Sequence, residues 1–197
     1  MIQIHNQSDT LMMVIHEIYG INQHMQGFCE RVSRQRFDVI CPNFLERNTP
    51  FNYSEEKEAY HHFMENVGFT DPVYKIKDII SEVKDEYQRI FIIGFSVGAT
   101  IAWLCSEGEH INGVVGYYGS RIRNYVEITP KCPTKLFFPQ EEQSFNVDEL
   151  ISTLHIKNID VHKLNGKHGF SNPYSPNYNE LSAQKAFSEM IEFIMRH

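Results

Sequence analysis

The segment Gly94-Phe95-Ser96-Val97-Gly98 places a serine at the centre of a G-x-S-x-G pattern, with apolar Ile92-Ile93 before it and Ala99 behind it. Between a strand and a helix, such a turn holds the serine in strained dihedrals. Glycines two residues to either side are then needed, because a Cβ at either position would collide with the neighbouring strand or helix. The hydroxyl is pushed up at the start of a helix, where free N–H groups and the positive dipole end favour developing negative charge. That is the chemistry of nucleophilic acyl transfer. Five residues alone carry little weight; the flanking segments, Arg89 to Gly94 as a strand and Val97 to Ser106 as a buried helix, supply the context. No Gly-Lys-Ser/Thr follows, which argues against a phosphate-binding loop.

A hydroxyl is a weak nucleophile until a base takes its proton, so a histidine is expected on a loop behind a late strand. Of ten histidines, His168 fits, in Lys167-His168-Gly169-Phe170 after the strand Asp160 to Leu164 and before the last helix. His61 and His62 lie in a charged helical stretch, and His110, His155 and His197 read as surface positions. The third member should be a carboxylate between serine and histidine in chain order. The strand Thr134 to Phe138 leads into Pro139-Gln140-Glu141-Glu142, and Glu142 is the choice, with Glu141 next and Asp148 behind, since spacing does not settle which carboxylate turns inward. An oxyanion hole needs two main-chain donors, one from Val97 and one from the loop His16-Glu17-Ile18-Tyr19-Gly20.

The elements that must position these groups alternate along the chain. Leu11 to His16 is a short apolar run suited to a strand buried on both faces, and a helix over Asn22 to Arg36 puts Met25, Phe28, Cys29 and Val32 on one side. Phe37 to Pro42 is the next strand. The polar stretch Glu46 to Asp71 holds a helix around Glu55 to Asn66 and has the character of a cap, and Asp71-Pro72 opens a further helix. Gly113 to Tyr118 is a strand, Val147 to Leu154 a helix, and Leu181 to Met195 the last helix. Strands alternating with helices predict the α/β class, with a mostly parallel sheet covered on both faces and the site at the carboxyl ends of the strands. With no repeat or linker, residues 1–197 read as one domain.

Composition narrows the partners. The net charge of −7, without any Lys/Arg run, disfavours nucleic acid and anionic membranes. No stretch approaches the roughly 18 apolar residues of a membrane span. Cys29, Cys41, Cys105 and Cys132 are widely spaced and form no CxxC pair; they are expected as free thiols in the cytoplasm. No metal or organic cofactor is implied, since there is no HExxH pattern, no Cys/His cluster and no dinucleotide fingerprint, and the adjacent His61 and His62 diverge by about 100° on a helix.

Taken together, five segments resemble the dienelactone hydrolase family of α/β-hydrolases, over nearly the whole chain. His16-Glu17-Ile18-Tyr19-Gly20-Ile21-Asn22 is similar to its H-E-x-x-G-x-N loop, and Phe37 to Asn43 to its next strand and turn. Gly94 to Gly98 corresponds to the nucleophile elbow, Gly116-Tyr117-Tyr118-Gly119 to a Y-Y-G strand end, and Lys167 to Phe170 to the H-G-F histidine loop. The resemblance implies hydrolysis of small esters or lactones with Ser96, His168 and Glu142 as the triad, and Ile18 and Val97 as oxyanion donors. It also implies a role for Glu17, which in cysteine-containing members helps to activate the thiol. Three positions depart from the family pattern. Ser96 stands where the namesake enzymes have cysteine, Pro139-Gln140-Glu141-Glu142 lacks the usual glycine and aspartate, and Asn172 stands where an arginine holds the substrate carboxylate. Dienelactone itself is thus not the expected substrate.

Glu17, Tyr19, Tyr118 and Arg121 are counted as candidate substrate-binding or activating side chains; Arg121 and Arg123, past the Tyr118-Gly119 strand end, suit an anionic group. The expected partner is a small-molecule ester or lactone, and the oligomeric state, homodimer included, stays open. Two rival readings use the same fold: a thioesterase or amidase on the same triad, and a non-catalytic small-molecule binding module. The irregular acid loop supports the second: if neither Glu141 nor Glu142 comes within hydrogen-bonding reach of His168, the triad reading weakens sharply.

Overall fold

In a computed structural model the described residues are 1–155 and 159–197. They form a seven-stranded sheet in the order β1-β3-β2-β4-β5-β6-β7. The strands are β1 (Ile2–Ile4), β2 (Thr10–Ile15), β3 (Asp38–Cys41), β4 (Arg89–Phe95), β5 (Gly113–Tyr117), β6 (Thr134–Pro139) and β7 (Asp160–Leu164). The helices are α1 (Gln23–Ser33), α2 (Glu56–His62), α3 (Thr70–Val83), α4 (Val97–Cys105), α5 (Val147–His155) and α6 (Glu180–Arg196). Strands β2 to β7 run parallel to their neighbours, and β1 alone pairs antiparallel, on the edge against β3. This is the expected α/β-hydrolase architecture.

The continuous apolar runs are explained by burial on both faces. All six residues of β2 are buried, and its side chains alternate between two clusters. Met12 and Val14 join α1 and α6 residues on one face, while Leu11, Met13 and Ile15 join α3 and α4 residues on the other. β4 repeats the pattern, with Phe91, Ile93 and Phe95 against Ile90 and Ile92. A third cluster lets α5, through Val147, Leu150 and Leu154, cover Leu136 and Phe138 of β6. Eight of the nine residues of α4 are buried, so the helix behind Ser96 is clamped in the middle of the molecule.

The chain passes from β2 outward to β3 and then returns across β2 to β4. That reversal leaves a crevice beyond the carboxyl ends of β2 and β4, where a parallel sheet places its ligands. Residues 16–20 leave β2 there, Ser96 leaves β4, and the segments after β6 and β7 arrive from the other side.

Four local expectations are corrected. β1 escapes detection because three residues of half-exposed edge strand carry no apolar run, and its antiparallel pairing needs only a short return to β2. The helix expected over 55–66 is divided into a 3-10 turn at Tyr53–Glu55, α2, and a π turn at Phe63–Val67 that ends at Gly68. Pro72 is the third residue of α3 rather than the first, still within the turn whose N–H groups lack intrahelical acceptors. Ser120–Asn124 forms a 3-10 turn where the sequence pattern predicts no element. Among the described residues no helix is long and apolar enough to cross a membrane, and the four cysteines are unpaired.

Candidate active site

The turn at Ser96 follows from local sterics. Its φ of +55° lies in the left-handed region, which an ordinary side chain enters only when its surroundings dictate it. A Cβ at Gly94 would lie 2.1 Å from the Gly98 carbonyl oxygen, and one at Gly98 would lie 2.4 Å from the Ile15 oxygen and 2.6 Å from that of His16. Both glycines are therefore required for α4 to start this close to β2 and β4. The Ser96 N–H donates to the Tyr117 carbonyl at 2.9 Å, which continues the sheet ladder under the turn.

Ser96 Oγ stands 2.9 Å from His168 Nε2, and His168 Nδ1 stands 2.7 Å from Glu142 Oε1. The carboxylate can only accept, so Nδ1–H donates to Glu142 and the free Nε2 lone pair faces the serine hydroxyl. The glutamate side chain is 7% exposed and the imidazole 36%. Gly169, at φ +83°, turns the chain just after the histidine, and Asn177 Nδ2 donates to the His168 carbonyl at 2.9 Å. Burial works against a charged imidazole, but the bond and charge of Glu142, with Glu17 and Glu56 farther off, prevail and raise its pKa above the ordinary value. The other two carboxylates considered for this place are elsewhere. Glu141 is exposed at the cavity rim, and Asp148, on α5, is held by Lys163 at 2.6 Å.

A cavity of about 730 Å³ opens above these groups, and Glu17, Ile18, Tyr19, Ser96, Val97 and Arg121 line it. As the first residue of α4, Val97 has an N–H without an intrahelical acceptor. Ile18, on the loop after β2, lines the same cavity, and that loop is pinned by His16. This buried ring donates from Nδ1 to the Glu17 carbonyl at 2.7 Å and accepts the Phe44 N–H at Nε2 at 3.0 Å. Burial, only partly offset by the bond to Glu17, lowers the His16 pKa to about 4, so the ring is neutral.

Glu17 is buried and lines the same cavity as Ser96, and both its oxygens have polar neighbours. Tyr118 donates its hydroxyl to Oε1 at 3.0 Å, Asn172 Nδ2 approaches Oε2 at 3.4 Å, and His24 Nδ1 lies 3.6 Å from Oε2, an ion-pair distance too long for a hydrogen bond. Burial opposes ionisation here, but His24, the field of His168 and the Tyr118 hydroxyl outweigh it, and the carboxyl is held below the usual carboxylate range. Tyr118 itself is fully buried, with its ring 5.0 Å from that of His168. Arg121 donates to the Tyr60 hydroxyl at the cavity wall, whereas Arg123 turns back to the Ser120 carbonyl and lies over the Phe145 ring, away from the lining. His61 pairs with Glu65 and His62 contacts the Leu45 carbonyl, so the two side chains diverge.

Several lining residues lie outside the sequence expectations: Tyr53, Glu56 and Tyr60 from the cap, and Ser175 and Pro176 from the loop after His168, beside Asn172, which the resemblance marks as replacing an arginine. Nothing in their spacing marks them, because contacts such as Tyr53 to Asn172 join segments 119 residues apart.

The dienelactone hydrolase family profile matches residues 3–197. An uncharacterised Bacillus subtilis protein, YczH, is 39% identical over 181 residues, spanning 90% of this chain and 89% of its own length. Carboxymethylenebutenolidase 1 of Cupriavidus pinatubonensis is 20% identical over 202 residues, 95% of this chain and 86% of that one. Among solved structures, the esterase Pf2001 of Pyrococcus furiosus superposes with a TM-score of 0.73 at 17% identity, covering 98% of this chain and 85% of the other. With the family profile matched over residues 3–197, this protein belongs to the dienelactone hydrolase family and is a hydrolase acting on ester or lactone bonds.

Proposed function

We propose that the protein is a serine carboxylesterase or lactonase working through an acyl-enzyme on Ser96. The observation that carries this reading is the unbroken line of contacts Ser96 Oγ to His168 Nε2 to Glu142 Oε1, at 2.9 and 2.7 Å, on the floor of the cavity. His168 Nε2 takes the serine proton as Oγ attacks the carbonyl carbon of the substrate. The tetrahedral oxyanion is held by the Val97 and Ile18 N–H groups. The imidazolium then protonates the leaving alkoxide as the C–O bond breaks, and a water deprotonated by the same nitrogen cleaves the acyl-enzyme to the free acid. Glu142 keeps Nδ1 protonated and stabilises the imidazolium. Glu17, with its oxygens bonded by Tyr118 and Asn172, is not the base; its charge adds to the field favouring the imidazolium. The free thiols suit a reducing compartment, and the cytoplasm is the site of action we assign.

The test is labelling by a serine-directed organophosphonate, read by intact mass, on the wild-type protein beside Ser96→Ala and His168→Ala. One equivalent on wild type and none on either variant is the expected result. A folded wild-type protein that takes no label would overturn the proposal.

A further inference from the structure

The Tyr53 hydroxyl presents an imbalance of donors and acceptors. Its oxygen is approached by two amide nitrogens, Asn22 Nδ2 at 3.0 Å and Asn172 Nδ2 at 2.8 Å. The orientation of both amides is settled by a main-chain N–H. Asn22 Oδ1 caps α1 by accepting from the Met25 N–H at 3.2 Å, and Asn172 Oδ1 accepts from the Tyr174 N–H at 2.9 Å. Nδ2 is therefore the atom turned toward Tyr53 in each case, and each donates. A phenol has two acceptor positions and one proton. Both acceptor positions are filled, and among the described residues no acceptor lies within hydrogen-bond reach of that proton. Tyr53 lines the same cavity as Ser96, with its ring set edge-on at 4.8 Å from Tyr19. Burial and the nearby Glu17 charge, against the pull of the Asn172 bond, raise the phenol pKa, so the proton is retained at neutral pH.

The chemistry of the acceptor follows from the neighbours. Asn172 Nδ2 also leans on Glu17 Oε2 at 3.4 Å, which puts the Glu17 carboxylate one residue away from the phenol. A second carboxylate at this point would face like charge in a half-buried site, whereas an uncharged oxygen would not. We infer that Tyr53 is a specificity-determining residue whose hydroxyl donates to an uncharged oxygen (ether, hydroxyl or carbonyl) carried by the substrate in addition to its scissile ester. The preferred substrates are thus neutral, oxygen-bearing esters or lactones. This rests on the hydrolase reading above.

Two pairs of isosteric esters test it: p-nitrophenyl methoxyacetate against p-nitrophenyl butyrate on the acyl side, and 2-methoxyethyl acetate against butyl acetate on the alcohol side. Relative to alkaline hydrolysis of the same compounds, wild type should favour the oxygen-bearing member of one pair by about 5- to 10-fold in kcat/KM. Tyr53→Phe keeps the ring and should erase that preference, the oxygen-bearing member losing about 5- to 10-fold more than the all-carbon one. The wild-type ratios need no variant and stand even if Tyr53→Phe folds poorly. No preference in either pair, or an equal loss on both members in a folded Tyr53→Phe, overturns the assignment of Tyr53. Absence of any turnover by wild type, with Ser96→Ala indistinguishable from it, overturns the hydrolase reading instead. In that case, binding of the matching methoxyacetamide and butyramide pair, by calorimetry, decides Tyr53 separately, equal affinities counting against it.

Discussion

Replacing Gly98 by alanine puts the starting geometry of α4 to a direct test. The added Cβ would meet the Ile15 oxygen at 2.4 Å, the His16 oxygen at 2.6 Å and the Ile15 carbonyl carbon at 2.9 Å. All three atoms belong to the main chain, so no side chain can rotate away. Relief requires α4 to move off β2 by about 1 Å, against a helix with eight of nine residues buried. Overpacking of this kind typically costs 1–3 kcal/mol, and the rigid partners put Gly98→Ala near the top, at about 3 kcal/mol. For a protein of this size that is a fall in Tm of about 6–12 °C. The same displacement carries Ser96 and the Val97 N–H away from Ile18 and His168, and a misplacement of about 1 Å costs about 100-fold in rate. Gly27→Ala is the control. Gly27 sits inside α1, and a Cβ added there would have nothing within 4 Å of it. There alanine should gain about 0.5–1 kcal/mol of helix stability and leave activity untouched. Thermal melts and the rate of phosphonate labelling on the two variants check both halves. A Gly98→Ala protein that melts and labels like wild type would refute the argument that glycine is required by close approach of α4 to β2.

Activity should rise with pH as His168 loses its proton, with an inflection in kcat/KM above the ordinary histidine value because Glu142 raises the pKa; Glu142→Gln should move it downward and slow turnover by 100-fold or more, roughly. As a raised group, His168 adds stability that is complete below pH 6.5, roughly its unfolded value, and is lost as pH climbs through its folded value, so pH-dependent denaturant midpoints of Glu142→Gln should lose that slope. Asp148→Asn breaks only the surface pair with Lys163 and should leave kcat/KM within about 2-fold of wild type; a large loss would transfer the acid role to it. His16, with its pKa lowered to about 4 by burial, contributes in the opposite sense. Its stability term is present above about pH 6.5 and falls as pH drops toward 4, by up to about 3 kcal/mol, and His16→Gln should flatten urea midpoints across that window.

The parts of this protein legible in its sequence are those governed by neighbours along the chain. The elbow carries its own pattern: an apolar strand, a tight turn and an apolar helix imply the close approach of Gly94 to Gly98, to which the fold adds the approach of Gly98 to Ile15 and His16. The alternation of two-sided strands with helices marks the parallel sheet, and the glycine-flanked loop after β7 marks His168. The acid is not decided at that level. Glu141, Glu142 and Asp148 share one loop and the start of one helix, and only the packing of that loop buries Glu142 against His168 while Lys163 draws Asp148 to the surface. β1 is illegible there because a three-residue edge strand is defined by its partner rather than by its own pattern. The hydrogen-bonded set around Glu17, with Tyr118, Asn172, Tyr53 and Asn22, lies wholly with the tertiary structure. Its members come from four separated segments, and a donor left over at Tyr53 exists only after every other donor and acceptor around it has found its place. The sequence pattern by itself marks the elbow at Ser96; only long-range packing sets which carboxylate meets His168 and which groups line the cavity.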